Sequence, residues 1–402
     1  MHSALRRLTQ PAETAAPAEL ATALLEFSGQ LFVAVRYGPW QTSDDRAILR
    51  AYTQGAGTWE TRHEATQLTF PSGSPEWRAR ALRRRAQGRS MFSLPPVEDG
   101  ISHMLAMRVG ALRKPLLFAA TSGNDGPGFL ASSNGTEFRQ GLPFGVAGIT
   151  RLAGLVLCSG RLFACPEGPA PAPLYTNGDP FKQAWTPVEI PGFAETGNRA
   201  ISAIGCLNKR LYLGTENRET GPQIWLSEPI QKPVQRLHAE PLISGSNAAW
   251  QGYDRIESMT VADDRILVGT RSYDLASAAD ATARTGAGLL ALSATEPPLP
   301  LVGPAPTMEQ DPGEVAGLGD AGNRAVSAIA VHRNRLYVGT RNFGGFQLWV
   351  QPQSGGRFEC LFTEGAGDRT ATEVTALRST QWGLVMATKR FDGFDVWLIE
   401  AS

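Results

Sequence analysis

The stretch from Gly197 to Glu228 and the stretch from Gly322 to Pro352 are two copies of one pattern, and this repetition limits the fold more than any other feature. Each copy runs Gly-Asn-Arg, a strand of small and apolar residues, a polar turn, Arg-Leu-Tyr-x-Gly-Thr, a loop, and an Ile/Leu-Trp strand. Weaker copies follow Tyr253-Asp254-Arg255 and Gly367-Asp368-Arg369, and others begin at Leu20, Ile101 and Ile149. The small residue ending each second strand marks the copies at Ala34, Ala120, Cys165, Gly214, Gly269, Gly339 and Ala387. Most intervals are 45 to 55 residues, and the two long ones, 86 and 70, contain insertions.

A period of this size with about four short strands per copy is the signature of a propeller. The first two strands of each copy are almost continuously apolar, as strands packed between neighbouring sheets should be. Residues 1–402 are therefore expected to form a single all-β domain, a seven-bladed β-propeller. Trp397 is followed by only five residues, too few for the fourth strand of the last copy. Residues 1–9, with Ala4-Leu5-Arg6-Arg7-Leu8, are expected to supply that strand and remove the exposed edge. An open β-solenoid would not need it. An insertion at residues 71–99 separates the first two blades. There Ser74 as N-cap, Pro75 at the first helical position and Gly88 as terminator predict a short Arg-rich helix.

The copies resemble bacterial β-propeller repeats of the form LYVGTxNxxGxxIWxS. The turn Ser132-Ser133-Asn134-Gly135-Thr136-Glu137-Phe138 is similar to the Asp boxes of sialidase-like propellers. The resemblance spans nearly the whole chain and implies a fold only, because propellers host enzymes, lectins and scaffolds alike.

Net charge is zero, so no global field draws nucleic acid or an acidic membrane. No run of about 18 apolar residues occurs, and the N-terminus lacks the apolar stretch of a secretory signal. Cys158, Cys165, Cys206 and Cys360 form no C-x-x-C pair, so buried free thiols in a reducing cytoplasm are expected. His2, His63, His103, His238 and His332 never fall at metal-ligand spacing. No P-loop, dinucleotide fingerprint or Gly-x-Ser-x-Gly occurs, so neither metal nor cofactor is expected.

Candidate chemistry lies where the loops leading into the first strands meet the loops joining second and third strands. These carry Arg36, Arg199, Arg255, Arg271, Arg324, Arg341, Arg369 and Lys389, with Trp40 and Tyr253 beside them. Guanidinium forks grip carboxylate or phosphate, so the ring is a candidate anion site. The same residues, repeated in most copies, would equally hold blades together. Departures from the repeat give three catalytic candidates. His103 and Arg151 stand where most first strands have Ala or Ser, and Glu257 replaces a small residue one position earlier. Arg151 beside His103 would depress the histidine and leave a neutral imidazole for acid–base work. On the insertion, Arg78, Arg80, Arg83, Arg84, Arg85 and Arg89 are candidate partner-binding residues. With no complete catalytic constellation, the main expectation is a non-catalytic interaction scaffold or accessory subunit of a bacterial complex, with a protein partner. The alternative is a protein that binds, hydrolyses or lyses an anionic glycan or metabolite at the Arg-rich face.

Overall fold

The computed structural model describes residues 4–9, 19–37, 47–64, 100–108, 115–123, 126–168, 170, 172–231, 234–243, 252–272, 286–303, 316–352 and 356–400. All of the regular structure there is β, apart from 3-10 turns of three or four residues at Ala194–Thr196, Ala316–Gly319 and Glu364–Gly367. No helix of the expected length occurs among the described residues, and the Arg-rich stretch 74–90, with its six arginines, lies outside them.

Strand β1 (Ala4–Arg7) precedes the first copy, which holds β2 (Glu19–Phe27), β3 (Gln30–Tyr37), β4 (Ile48–Thr53) and β5 (Thr58–Glu64). The second holds β6 (Gly100–Met107), β7 (Leu116–Ser122), β8 (Phe129–Ser132) and β9 (Arg139–Gln140). The third holds β10 (Leu152–Cys158), β11 (Arg161–Pro166), β12 (Leu174–Asn177) and β13 (Thr186–Val188). The fourth holds β14 (Ala200–Leu207), β15 (Arg210–Glu216), β16 (Ile224–Ser227) and β17 (Ala239–Ile243). The fifth holds β18 (Tyr253–Ala262), β19 (Arg265–Ser272), β20 (Leu289–Leu292) and β21 (Leu299–Val302). The sixth holds β22 (Ala325–His332), β23 (Arg335–Arg341), β24 (Leu348–Gln351) and β25 (Glu359–Phe362). The last holds β26 (Ala371–Thr380), β27 (Gly383–Arg390) and β28 (Gly393–Glu400), and β1 pairs with β28 from Ala4–Glu400 to Arg7–Trp397.

The repeat is a hairpin with a fixed irregularity. Ser28-Gly29, Ser159-Gly160, Asn208-Lys209 and Arg333-Asn334 all take positive φ in two-residue turns, the twist that suits antiparallel strands. In every copy one extra residue bulges from the first strand: Thr22, Ser102, Ala153, Ser202, Glu257, Ser327 and Thr375. The next residue pairs with the small marker that defined the period, as in Ala203–Gly214 and Ala328–Gly339. Close approach explains the marker. A Cβ on Gly214 would stand 2.6 Å from Ile256, and one on Gly339 would stand 2.5 Å from Val374, each in the following copy. The bulged hydroxyls tie copies together. Ser202 donates to the Ile256 carbonyl at 2.8 Å and Ser327 to the Val374 carbonyl at 2.7 Å.

The apolar core lies between copies. Phe163, Leu174 and Val188 of the third copy pack on Leu211, Leu213 and Trp225 of the fourth, and Val33 and Tyr52 of the first share a cluster with Val385 and Val396 of the last. Hydrogen bonding, however, does not divide the chain into seven similar closed radial blades. It gives three sheets, of sixteen, four and eight strands. The sixteen-stranded sheet is continuous because one row of Cα partners crosses from copy to copy: Ala200–Glu216, Glu216–Arg255, Arg255–Arg271, Arg271–Ala325, Ala325–Arg341, Arg341–Glu373 and Glu373–Lys389. Arg36–Gly100 makes the same junction between the first two copies. The seven-bladed propeller, and the resemblance to propeller repeat proteins with it, is therefore corrected to an all-β fold of three sheets built from repeated hairpins.

The expected free thiols also need correction. Cys158 and Cys206 form a disulfide, leaving Cys165 buried and Cys360 exposed as thiols. The two bonded cysteines are 48 residues apart, one repeat period, and stand on first strands that pack together.

Candidate functional site

Glu257 occupies the bulge where five of the other six copies carry Ser or Thr. Its neighbour Ser258 takes over the hydroxyl's task, donating to the Val326 carbonyl at 2.7 Å. The carboxylate is thereby released to the row above it. Its Oε1 accepts from Arg341 Nη2 at 2.8 Å, and Oε2 lies 3.4 Å from Arg255 Nε and 3.9 Å from Arg271 Nη1. The side chain is only 12 % exposed. Burial pushes its pKa up, but the guanidinium groups of Arg341, Arg255 and Arg271 outweigh burial and hold it below the usual carboxylate range.

Each of these arginines has a further acid. The same Arg341 nitrogen reaches Glu373 at 2.6 Å, and Arg271 grips Asp254 with two bonds of 3.0 and 2.7 Å. Arg255 Nη1 stands 3.7 Å from Glu216. Burial alone would weaken the Arg341 and Arg271 cations, but these carboxylates raise both above the ordinary arginine value. Arg255, Arg271 and Arg341 thus form one alternating charge network along the row. Asp254, Glu216 and Glu373 complete it, and none of the three belonged to the expected site.

The remaining basic candidates are dispersed. Arg369 is exposed and bonded to Glu364. The Arg36 stem covers Gly100, where a Cβ would come within 2.4 Å of its Cγ. Tyr253 is a core residue, packed in a cluster with Ile243, Ile256 and Val268. Trp40 lies outside the described residues. Arg324 is half-buried, with Nη1 sequestered and unbonded among the described residues. Lys389 makes no ion pair among them, because its row neighbour Glu373 is taken by Arg341.

His103 and Arg151 meet through a third residue. Arg151 Nη1 bonds Glu167 at 2.9 Å, and the same carboxylate acts electrostatically on His103. Burial pushes the imidazole down to about 4, against the opposing pull of its bond to the Ala153 backbone and of Glu167. The ring is therefore neutral at pH 7, through desolvation rather than through Arg151. His103 does occupy the small-residue position, opposite Ala120. Arg151 does not: the third-copy bulge is Ala153, so Gly154 takes that place, and Arg151 lies at the level of Ala200 in the row. Glu257 belongs to the other cluster, so the three catalytic candidates do not converge.

Arg199 is different. It is exposed, its backbone N–H donates to the Glu216 carbonyl at 2.9 Å while its side chain bonds no described residue, and it lies at a pocket of about 620 Å³ between the third and fourth copies. The walls are mainly apolar, with Pro173, Val188, Ile190 and Phe193. Asn198 stands beside Arg199, but its amide is committed to the Phe193 carbonyl, Thr196 and Gln223. A second pocket, of about 670 Å³, lies at the hairpin turns of the fifth and sixth copies, where Arg265 is bonded to Glu296. Neither pocket is lined by His103, Arg151 or Glu257. Among the described residues no three His, Cys, Asp or Glu side chains converge as metal ligands, and no helix is long and apolar enough to cross a membrane.

No protein-family model matches the chain, and comparison with curated proteins finds no match. Solved structures share the fold. The GH74 xyloglucanase from Xanthomonas campestris is similar over 98 % of this chain and 53 % of its own, with a TM-score of 0.57 and 15 % identity. PorZ, an essential bacterial surface component of the type-IX secretion system of Porphyromonas gingivalis, is similar over 94 % of this chain and 46 % of its own, with a TM-score of 0.54 and 12 % identity. A puromycin hydrolase is similar over 95 % of this chain and 52 % of its own, with a TM-score of 0.51 and 12 % identity. The chain spans about half the length of each, and identities this low carry the fold alone.

Proposed function

We propose that the protein binds an acidic ligand, an anionic metabolite or the acidic end of a glycan, in the pocket beside Arg199. The observation that carries this is the uncommitted guanidinium at a largely apolar cavity. Sites for small ligands are typically apolar clefts of about 300–1,000 Å³ with a few placed polar groups. A free arginine fork suits a carboxylate or phosphate. Two of the three similar structures are named as enzymes, a xyloglucanase and a puromycin hydrolase, which supports this reading over a bare scaffold.

Binding is favoured over hydrolysis on chemical grounds. Two carboxylates do share a locality, since Glu257 and Glu373 bond the same Arg341 nitrogen. Neither of them lines the two pockets, and Arg341, Arg255 and Arg271 hold Glu257 ionised, so Glu257 does not supply the protonated acid that a glycosidase pair needs.

Isothermal titration against a panel of carboxylates and phosphates tests the reading. At least one acid is expected to bind, Arg199→Ala to weaken it by about tenfold or more, and Arg199→Lys by less, because a point charge loses the fork geometry. No acid binding at millimolar concentration, or equal binding by Arg199→Ala, would overturn it.

A further inference from the structure

Two residues before each small marker, the second strand carries Phe32, Phe118, Phe163, Tyr212 and Tyr337 in the first, second, third, fourth and sixth copies. All five are buried, and each packs in a cluster with the copy that follows. Phe118 meets Leu152 and Leu162 in this way, and Tyr212 meets Ile256 and Ile266. The seventh copy has Val385 at this position, and Tyr52, Trp59 and Trp382 pack in that cluster instead. The fifth copy has Leu267. At its junction with the sixth copy, Phe358 and Trp349 enter from the sixth side, and among the described residues no ring enters from the fifth.

The cleft of about 670 Å³ opens at this same junction. Leu267, Ala291 and Leu299 are partners in one row across the fifth copy and form one wall. Val331 and Leu336, paired in the sixth, stand in the other. Leu299 is left 43 % exposed. Protein interiors are packed with few voids larger than a water molecule, so an apolar gap of this size between packed copies is room for a guest. Its volume lies in the range of about 300–1,000 Å³ usual for small-ligand sites.

Charge is sorted across the cleft. On the fifth-copy wall Arg265 stands 3.9 Å from Asp264 and bonds Glu296 at 3.0 Å. The sixth-copy wall contributes Arg335 and Arg357 and no acid. Arg357 is exposed, and its side chain bonds no described residue. The chain itself shows what suits the apolar part, since five other copies put an aromatic ring at the place of Leu267. A planar guanidinium suits a carboxylate. We propose that this cleft binds a small aromatic acid, with the ring between Leu267 and Leu336 and the carboxylate at Arg357. The cleft shares no residue with the Arg199 pocket, and the proposal does not depend on that site.

The test is titration with 2-naphthoate, its uncharged amide 2-naphthamide, and acetate. At millimolar concentration 2-naphthoate is expected to bind, the amide to bind about tenfold more weakly, and acetate not to bind. Leu267→Phe restores the ring of the other copies, so it should weaken 2-naphthoate by about tenfold or more while the melting temperature holds or rises. Arg357→Gln changes an exposed residue and leaves the walls intact, so it keeps the test decisive if Leu267→Phe lowers the melting temperature. It should bring 2-naphthoate down to the level of the amide, and Arg199→Ala should leave binding unchanged. Absence of 2-naphthoate binding, equal binding of acid and amide, or full binding by a folded Leu267→Phe would overturn the proposal. So would loss of binding in Arg199→Ala, or capture of a protein partner at the cleft without 2-naphthoate binding.

Discussion

Replacing Glu257 by alanine removes the carboxylate on which three guanidinium groups converge. Stripping one partner from a fully buried ion pair costs about 3–5 kcal/mol. The network softens this, because Arg341 keeps Glu373, Arg271 keeps Asp254 and Arg255 keeps Glu216. What is lost outright is the 2.8 Å bond to Arg341 and the weaker attractions at 3.4 and 3.9 Å. A hydrogen bond between charged groups contributes about 1.5–3 kcal/mol, so the expected cost is about 2–3 kcal/mol. Glu257→Gln keeps an acceptor for Arg341 and is expected to cost about 1 kcal/mol. The sign of the pH dependence follows from linkage. The folded-state pKa lies below the ordinary value of 4.5, so this contribution is complete above pH 4.5 and is lost as pH falls through the folded value. Urea unfolding from pH 7 to pH 3.5 should therefore show the gap between wild type and Glu257→Gln narrowing on the acid side. A Glu257→Ala cost under about 0.5 kcal/mol, or a gap constant with pH, would refute the convergence of charges on this residue.

Arg271→Ala leaves Asp254 buried without its two-bond partner and is expected to destabilise by about 3 kcal/mol, while Arg199→Ala changes urea stability by less than about 0.5 kcal/mol. Ser327→Ala removes the bond to the next copy and should cost about 1–2 kcal/mol in the same assay. Deleting residues 1–9 bares the β28 edge and leaves Asp395 without Arg7, so the melting temperature should fall and light scattering should show association. A non-reducing peptide map of the protein from its native host should show Cys158 joined to Cys206; four free thiols would refute the pairing and favour the cytoplasmic location read from composition.

Local structure was the legible part. The hairpins follow from the polar turns, and the Gly or Ala markers from the approach of the next copy's first strand, which leaves no room for a side chain at Gly214 or Gly339. Glu257 was visible because five of the other copies put a hydroxyl at the bulge. Arg151 was misplaced for the same reason: the third copy bulges at Ala153, which has no hydroxyl to mark the position. Pairing between copies was hidden, because junctions such as Glu216–Arg255 and Arg341–Glu373 join residues more than 30 positions apart, with no local signature. For that reason seven independent sheets were expected where the row merges them.

The row also explains why so many candidate arginines were poor guides to a binding site. Each junction brings second-strand ends of one copy against first-strand starts of the next, so a cation placed there meets whatever the neighbour offers. Where the neighbour offers an acid, as at Arg341 or Arg271, the charge is spent on cohesion. Where the neighbouring acid is already taken, as Glu373 is beside Lys389, or the side chain bonds no described residue, as at Arg199, the charge remains available to something outside the chain. Repetition of a residue type therefore marks the frame, and failure of its neighbour to pair marks the places where a ligand can bind.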